Sequence, residues 1–382
     1  MTKNIVTPLS ELKKRSSSKW RRFAPDVLPM HVAEMDYDID EGIKKILLEK
    51  VSNSDLGYTG PMPEVADGFV TFAERLWGWR PDAKQVRLST DVGVSAVEIF
   101  RALGNKGDGV VINSPVYHSF FDWIAEVEML VHDVPLVRAE TDWQLDLVAL
   151  ENAFKLGPKF YLICNPHNPL GKVYTQAELA TVADLAKLYN VTVISDEIHA
   201  PLTYVNTDFV PYLKVSQSAK ETGICITAAS KSFNLAGLKA SIIVTDAAQM
   251  HERLAKLPAA LHWRSGLLGA FAMAEAFSNA GSWLDSAISA NLESRELLSQ
   301  LVADQLPKVK MWIPDAGYLA WLDISELNLG DNPAAKILSE QKVAFVPGPD
   351  HGEDYKDYLR INFACHPDSL RRAVLALAAY AN

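Results

Sequence analysis

Short apolar runs recur through the middle of the chain, and stretches with helical spacing separate several of them. The runs are Val110 to Ile112, Phe160 to Cys164, Val191 to Ile194, Ile224 to Ile226 and Ser241 to Val244. Strands that alternate with helices are typical of an α/β domain in which the strands run mostly parallel. The pattern therefore predicts such a sheet in the middle of the chain.

One helix is predicted in detail. Thr175-Gln176-Ala177-Glu178 has the sequence of a capping box, in which the threonine and glutamate side chains satisfy backbone N–H groups at the helix start. Apolar residues then follow at helical spacing up to about Asn190, namely Leu179, Val182, Leu185 and Leu188. We expect this face to pack on the sheet.

The pattern changes from about Leu267 to long helical stretches, followed by mixed segments and a final helix from Pro367 to Tyr380. The first forty or so residues contain no clear strand and predict an arm or helix that joins the C-terminal part. We therefore expect a large domain over residues 44–266 and a smaller α+β domain made of residues 1–43 and 267–382.

Composition and charge narrow the functional classes. The 382 residues are 48% hydrophobic and 22% charged, which fits a globular protein of two or three domains and excludes a disordered, collagenous or coiled-coil chain. The 47 acidic residues exceed the 37 lysines and arginines, giving a net charge of −10. A negative chain repels nucleic acid and anionic membrane surfaces, so we expect neither as a partner.

The cysteines and the N-terminus predict a cytoplasmic location. Cys164, Cys225 and Cys365 form no CxxC pair, and an odd number in apolar surroundings favours reduced thiols. The N-terminal residues lack the apolar core of a signal peptide, and the longest near-apolar run, Ala373 to Ala381, is too short to span a bilayer. His351, His366 and Cys365 lack metal-ligand spacing and are expected to be surface or packing residues, so no metal site is predicted.

Unusual polar clusters directly follow four of the apolar runs. In an open parallel sheet ligands bind beyond the carboxyl ends of the strands, so these clusters are expected to converge on one edge. The clusters are Ser114-Pro115-Val116-Tyr117, Asn165-Pro166-His167-Asn168-Pro169, Asp196-Glu197-Ile198-His199 and Ser230-Lys231.

Two of these side chains suggest a specific cofactor. A lysine directly after a buried strand can lie in a desolvated pocket where its neutral, nucleophilic form is accessible, and Lys231 has that position. Asp196, at the end of another strand, needs a cationic partner such as a protonated pyridine nitrogen. With an aromatic group to stack on the ring, these are the elements of a pyridoxal phosphate site. The helix that begins near Asp91 and Gly93 offers N–H groups for a phosphate.

Four segments together resemble the class I/II aminotransferase family of fold-type I pyridoxal phosphate enzymes: residues 165–171, 196–199, 230–238 and 359–363. Residues 28–37 and 57–63 and the Asp-Glu-Ile-His segment further resemble its cystathionine β-lyase-like carbon–sulfur lyase branch. The resemblance implies a large, mostly parallel α/β/α sandwich domain with a smaller α+β domain.

The resemblance also implies residue roles. Lys231 holds the cofactor covalently, Asp196 pairs with the pyridine nitrogen and Asn168 hydrogen-bonds the ring hydroxyl oxygen. The other implied roles are stacking on the cofactor ring, binding its phosphate, binding the substrate and completing the site of the partner subunit. Tyr117 stacks, Gly93 and Val94 donate N–H groups to the phosphate, Arg360 and Ala33 bind the substrate, and Tyr58 reaches the site of the partner in an obligate homodimer.

Several positions depart from the family pattern. His199 stands where many aminotransferases have tyrosine, Ala228 replaces a common serine, and Lys239 replaces a phosphate-binding arginine. We therefore expect Ser230, Lys239 and backbone amides to carry the phosphate, with His199 beside the cofactor. His167 and His199 are expected to orient neighbours rather than to shuttle protons. His31 stands where the branch often has tryptophan and is expected to alter the substrate pocket.

The resemblance implies a homodimeric carbon–sulfur β-lyase that acts on L-cystathionine or a related L-cysteine conjugate and releases a thiol, pyruvate and ammonia. For cystathionine the thiol is homocysteine, which suggests a place in methionine biosynthesis. Tyr58 and Lys231 are both candidates to protonate the leaving sulfur. An aminotransferase using the same residues is the first alternative, and a cofactor-binding regulatory or interaction protein is the second.

Overall fold

A computed structural model describes residues 5–381, and its strands form one large and three small sheets within that range. The strands are β1 (Leu28–Pro29), β2 (Val86–Ser89), β3 (Gly109–Ile112), β4 (Leu130–Asp133), β5 (Val137–Arg138), β6 (Trp143–Gln144), β7 (Phe160–Cys164), β8 (Thr192–Asp196), β9 (Gly223–Thr227), β10 (Ser241–Val244), β11 (Lys310–Met311), β12 (Leu319–Asp323), β13 (Val343–Ala344), β14 (Val346–Pro347) and β15 (Tyr358–Asn362).

The α-helices surround these sheets. They are α1 (Leu9–Leu12), α2 (Ser18–Arg21), α3 (Glu41–Ser52), α4 (Pro63–Trp77), α5 (Val92–Leu103), α6 (Ser119–Glu126), α7 (Leu147–Lys155), α8 (Gln176–Leu188), α9 (Tyr212–Val215), α10 (Gln217–Thr222), α11 (Ala229–Ser232), α12 (Ala248–Arg253), α13 (Ala260–Trp263), α14 (Leu267–Asn279), α15 (Gly281–Gln305), α16 (Pro333–Gln341) and α17 (Pro367–Ala378). None of the helices in residues 5–381 combines the length and apolarity needed to cross a bilayer.

The large sheet has seven strands in the order β2-β10-β9-β8-β7-β3-β4. The five strands from β9 to β4 are parallel, whereas β10 and β2 are antiparallel additions at one edge. The prediction of a mostly parallel sheet is confirmed. Sequence reasoning missed β2 and β4, the two edge strands, because their short segments contain exposed or half-buried residues.

Both faces of the sheet are covered by helices, which explains why its inner strands are apolar throughout. Alternate residues of β7 point to opposite faces. Phe160 packs against Phe100 of α5 at 5.1 Å between ring centroids, while Tyr161 packs against Phe154 of α7 at 5.6 Å. The result is the predicted α/β/α sandwich.

The predicted capping box of α8 is present, since the Thr175 side chain accepts from the N–H of Glu178 and the glutamate accepts from the N–H of Thr175. The predicted apolar face is wrong at one position, because Leu188 is 69% exposed. Ala183 and Ala186 are buried instead, as the packed face turns away from the last turn of the helix.

A four-stranded antiparallel sheet, β11-β12-β15-β14, lies in the C-terminal part of the chain. The N-terminal segment reaches this part through β1, which pairs in parallel with β13. The expectation of an N-terminal segment without a strand is therefore wrong over Leu28–Pro29. The proposed domain division at residues 44 and 266 remains a prediction.

Candidate active site

The carboxyl ends of β7, β8 and β9 lie level with one another, since Cys164 pairs with Asp196 and Asp196 with Ile226. A cavity of about 570 Å³ opens beyond this edge. Two of the predicted site residues, Val94 and Tyr58, do not line it. The others do, and they are Ala33, Gly93, Tyr117, Asn168, Asp196, His199, Ser230, Lys231, Lys239 and Arg360.

Lys231 lies in the short helix α11, which follows β9 directly. Its Nζ donates to the Ala33 carbonyl oxygen at 2.9 Å. Burial, and then the positive charge of Arg360, lower the pKa of Lys231 to about 8. The neutral amine is therefore accessible near neutral pH, as a nucleophile or a base requires.

Asp196 ends β8 and is buried. Its Oδ1 accepts from the Ile198 N–H at 3.2 Å, and within residues 5–381 its carboxylate forms no ion pair. Burial raises the pKa of Asp196 to about 7. A buried carboxyl group at the floor of a cavity gains most from a cationic ligand atom, so Asp196 fits a protonated pyridine nitrogen.

Arg360 of β15 and Asn168 lie side by side in the cavity wall. Arg360 Nη1 donates to Asn168 Oδ1 at 3.1 Å, and Nη2 donates to the His31 carbonyl oxygen at 2.9 Å. These partners are neutral, so the guanidinium charge is not compensated by them, and its buried Nε has no partner in residues 5–381. Burial lowers the pKa of Arg360 to about 10, which still leaves it charged at neutral pH. Such a group suits a substrate carboxylate.

Tyr117 belongs to an aromatic wall. Its ring packs edge-on against Trp123 at 5.8 Å and His118 at 4.7 Å between centroids. Trp123 also explains Gly93, because a Cβ at that position would lie 2.9 Å from the indole ring. The glycine therefore lets the indole approach the first turn of α5.

The N-terminus of α5 forms the other end of the cavity. Asp91 caps this helix by accepting from the Val94 N–H at 2.8 Å, and its other oxygen pairs with Lys239 Nζ at 3.1 Å. The Val94 N–H thus already has a partner. The structure leaves the Gly93 backbone, Ser230 and the Lys239 ammonium as the donors on the cavity wall at this end.

The two histidines of the polar clusters that follow β7 and β8, His167 and His199, differ in their contacts. His167 is satisfied on both nitrogens, by the Pro115 carbonyl at 2.7 Å and the Tyr174 hydroxyl at 2.8 Å. His199 is buried and its Nδ1 has no partner among the described residues. Burial, followed by the charges of Lys231 and Arg360, lowers the pKa of His199 to about 3, so the ring is neutral. An orphaned ring nitrogen at the cavity fits a polar ligand atom.

Tyr58 lies outside the cavity and is 91% exposed. Its neighbours on the chain are tethered, because Thr59 Oγ1 donates to the Ser265 carbonyl at 2.7 Å and His262 Nε2 contacts the Gly60 carbonyl oxygen at 2.9 Å. A single chain therefore presents this tyrosine exposed on a tethered loop, outside its own cavity.

Sequence reasoning missed several residues of the wall. His351, expected to be a surface or packing residue, is fully buried, with Nε2 3.4 Å from Arg360 Nη1. The missed residues carry no motif and come from separate segments: Arg22, His118, Trp123 and Asp350. No cluster of three or more metal-ligating side chains occurs in the described range.

The fold and the cavity together define a fold-type I pyridoxal phosphate enzyme. The chain belongs to the family aminotransferase class I and II, whose sequence model matches residues 26–377. It is 32% identical to cystathionine β-lyase PatB of Bacillus subtilis over 92% of this chain and 93% of that protein. It is 31% identical to cystathionine β-lyase of Corynebacterium glutamicum over 97% of this chain and 98% of that one.

The solved structures support the fold independently. A putative pyridoxal phosphate-dependent β-cystathionase from Corynebacterium diphtheriae superposes with a TM-score of 0.93 over 99% of this chain and 99% of that one, at 26% identity. The predictions of the family, the fold class and the cofactor are confirmed. The reaction named for both relatives is the one that the sequence predicted.

Proposed function

We propose that this protein is a homodimeric, pyridoxal phosphate-dependent carbon–sulfur β-lyase that cleaves L-cystathionine or a related L-cysteine conjugate. With cystathionine, one water is consumed and homocysteine, pyruvate and ammonia are released. The observation that carries the proposal is that Lys231, Asp196 and Arg360 line one cavity. They supply a nucleophilic amine, a partner for a pyridinium and a cation for a substrate carboxylate.

The residues present fit the cofactor. Lys231 would hold it covalently, Asp196 would pair with its ring nitrogen, and Ser230, Lys239 and the Gly93 backbone would bind its phosphate. Asn168 Oδ1 is occupied by Arg360, which leaves the Asn168 NH₂ group for the ring hydroxyl oxygen. When bound, pyridoxal phosphate supplies an electron sink for the electron pair left at Cα.

The chain's own groups then perform the proton transfers. Arg360 fixes the substrate carboxylate, which orients the Cα–H bond. The Lys231 amine would be the base for the Cα proton, because its lowered pKa keeps a useful fraction neutral. The leaving β-sulfur would take a proton from Lys231 or from Tyr58 of the partner subunit.

The exposed loop around Tyr58 supports a homodimer. Three apolar side chains that precede Tyr58 in the sequence are exposed, namely Leu48 at 67%, Val51 at 52% and Leu56 at 56%. Trp263, which lies two residues before the Ser265 carbonyl that binds Thr59, is 55% exposed. A second copy that covered them would bury apolar surface and bring Tyr58 to the neighbouring cavity.

A cytoplasmic location is part of the proposal. All three cysteines are free and buried, as expected of a protein that functions in a reducing compartment. Release of homocysteine would place the reaction in methionine biosynthesis.

The test separates the lyase from an aminotransferase. Purified holoenzyme is incubated with L-cystathionine and no keto acid, and pyruvate and free thiol are followed, with Lys231→Ala as the inactive control and exposed Lys256→Ala as the matched control. Equal release of both products, lost only in Lys231→Ala, is expected. Turnover that depends on an added keto acid would instead assign an aminotransferase, and no chemistry with any amino acid would favour a regulatory role.

A further inference from the structure

Two charged side chains in the cavity wall have no role in the chemistry described above. Arg22 follows α2, and Asp350 lies in a 3₁₀ turn over Gly348–His351. The other charged residues that line the cavity are accounted for by the cofactor, the base and the substrate carboxylate: Asp91, Asp196, Lys231, Lys239 and Arg360.

Arg22 and Asp350 are also without charged partners. Within residues 5–381 neither forms an ion pair or a side-chain hydrogen bond, and the Arg22 guanidinium lies over the Phe23 ring at 5.8 Å from its centroid. By contrast, the charges at the phosphate end, Lys239 and Asp91, pair with each other. A guanidinium and a carboxylate at a cavity that remain unpaired can each gain a ligand group of opposite charge.

Both side chains act on the substrate end of the cavity. Burial and then the charge of Arg22 lower the pKa of His31 to about 4, and the His31 carbonyl oxygen binds Arg360. Burial lowers the pKa of His118, and Arg360, Asp350 and Arg22 are all close enough to influence it. The two free charges therefore lie near His31 and His118, on the side of the cavity to which Arg360 belongs.

Packing holds both segments in place. Lys19, three residues before Arg22, is buried and forms an ion pair with Asp36 at 2.7 Å. On the other side, the His351 carbonyl oxygen accepts from the Val116 N–H at 3.0 Å, next to Asp350. The backbone segments that carry the two charges are therefore held in place, so a ligand has to order only the Arg22 and Asp350 side chains.

We propose that Arg22 and Asp350 bind the far end of a substrate whose leaving thiol is itself an α-amino acid, Arg22 through its carboxylate and Asp350 through its ammonium group. The inference rests on the proposed lyase function and narrows its substrate class. Arg360 takes the carboxylate of the half that is cleaved, so the cavity matches a thioether with a zwitterion at each end. S-Alkyl cysteines lack that second zwitterion and would contact Arg360 but neither Arg22 nor Asp350.

The experiment compares substrates that differ only at the far end. Arg22→Gln and Asp350→Asn are assayed as holoenzymes with L-cystathionine and with S-methyl-L-cysteine. Exposed Arg21→Gln and Glu353→Gln, which lie next to the tested residues but outside the cavity wall, are the matched controls. We expect each tested variant to lose about tenfold or more in kcat/KM on cystathionine, mainly through KM, and to keep its activity on S-methyl-L-cysteine within about twofold.

Half-charged substrates separate the two residues. S-(2-Carboxyethyl)-L-cysteine is expected to respond to Arg22→Gln alone, and S-(2-aminoethyl)-L-cysteine to Asp350→Asn alone. Arg22→Lys is expected to recover part of the cystathionine activity because it restores the charge without the planar fork. Equal losses on all substrates would reveal a merely structural role and overturn the inference, as would no loss on cystathionine.

A binding measurement distinguishes failure of this inference from failure of the lyase function. L,L-2,7-Diaminosuberate has the two zwitterions of cystathionine but a methylene in place of sulfur, so it cannot eliminate. Its Kd for the wild-type holoenzyme is measured by calorimetry and is expected to rise about tenfold in each variant. If the wild-type enzyme released no thiol from any substrate, the lyase function would be wrong. An unchanged Kd in the variants would, separately, overturn the roles of Arg22 and Asp350.

Discussion

Arg360 Nη1 donates to Asn168 Oδ1 at 3.1 Å, joining β15 to the loop after β7 across 192 residues of sequence. The contact couples two recognition tasks, since the arginine is placed for the substrate carboxylate and the asparagine for the cofactor ring. Because the amide oxygen is occupied, the orientation of Asn168 is fixed by Arg360. A change at either position should therefore affect both substrate and cofactor binding.

The first prediction concerns this contact. Arg360→Lys keeps the charge but loses the fork that reaches Asn168 and a carboxylate together, so kcat/KM is expected to fall about 100-fold, about 3 kcal/mol. Steady-state kinetics on cystathionine measure the loss, and exposed Arg371→Lys is the matched control. A variant as active as wild type would show that the bidentate geometry is not needed.

The second prediction concerns the pKa of Lys231, which is lowered to about 8 by burial and then by Arg360. Covalent attachment of pyridoxal phosphate to the apoprotein requires the neutral amine. Its rate is therefore expected to rise about tenfold per pH unit below about pH 8 and to level off above it. Borohydride trapping followed by mass spectrometry measures the attached fraction, with Lys231→Ala as the blank. A rate still rising at pH 10 would contradict the lowered pKa.

The third prediction is that buried Asp196 lowers the free energy of unfolding of the apoprotein as the pH rises. Burial raises the pKa of Asp196 from 3.8 to about 7, so between these values the folded apoprotein holds a proton that the unfolded chain has lost. Its contribution to stability therefore falls as pH rises through that window. Asp196→Asn removes the titration, so its free energy of unfolding relative to wild type is expected to increase by about 2–3 kcal/mol between about pH 5 and pH 8.

Urea unfolding of the apoproteins at the two pH values measures this difference, and exposed Asp184→Asn is the matched control. The same Asp196→Asn variant is expected to hold pyridoxal phosphate more weakly, since the partner of the ring nitrogen is lost. Greater stability without the cofactor, together with weaker binding of it, would identify Asp196 as a group kept for function. A constant difference in stability across pH would contradict the raised pKa.

The fourth prediction concerns the pair between Lys239 and Asp91, whose nitrogen and oxygen lie 3.1 Å apart. Lys239→Gln removes a phosphate donor and is expected to raise the Kd for pyridoxal phosphate about tenfold, whereas Lys239→Arg is expected to retain the affinity. Quenching of tryptophan fluorescence by the cofactor measures the Kd, and Trp123 of the cavity wall is a suitable reporter. Unchanged affinity in Lys239→Gln would mean that Lys239 pairs with Asp91 and does not bind the phosphate.

Much of the site could be predicted from the sequence because its parts follow buried strands. The strands that end at Cys164, Asp196 and Thr227 are continuous apolar runs, and the reactive side chains come within a few residues of their ends. The same logic fails for contacts between distant segments. The Ala33 carbonyl that accepts from Lys231 lies 198 residues away, and no local pattern marks it.

The charges at the substrate end were missed for the same reason. Arg22 and Asp350 lie in a short N-terminal helix–turn segment and a 3₁₀ turn, which carry neither hydrophobic periodicity nor a motif. The first segment is held against the site by contacts such as the buried pair of Lys19 with Asp36, which spans 17 residues. Edge strands β2 and β4 were missed because partial exposure removes the apolar run that identifies inner strands.

The fifth prediction tests the proposed homodimer through Tyr58, which is 91% exposed in the single chain. If Tyr58 completes the partner's site, Lys231→Ala on one chain and Tyr58→Phe on the other damage the same site of a mixed dimer. Each mixed dimer then keeps one site that has both Lys231 and the partner's tyrosine. Equal amounts of the two inactive variants, unfolded and refolded together, form mixed dimers in about half of the population, so about a quarter of wild-type activity is expected.

The two variants refolded separately and then combined are the control for this experiment, because they contain no mixed dimers. Thiol release from cystathionine measures the activity, and sedimentation confirms that each sample is dimeric. Recovery in the co-refolded sample alone requires that residues of two chains share one site. Activity no greater than the control would mean that Tyr58 serves its own chain or no site at all, and the exposed loop would then need a different explanation.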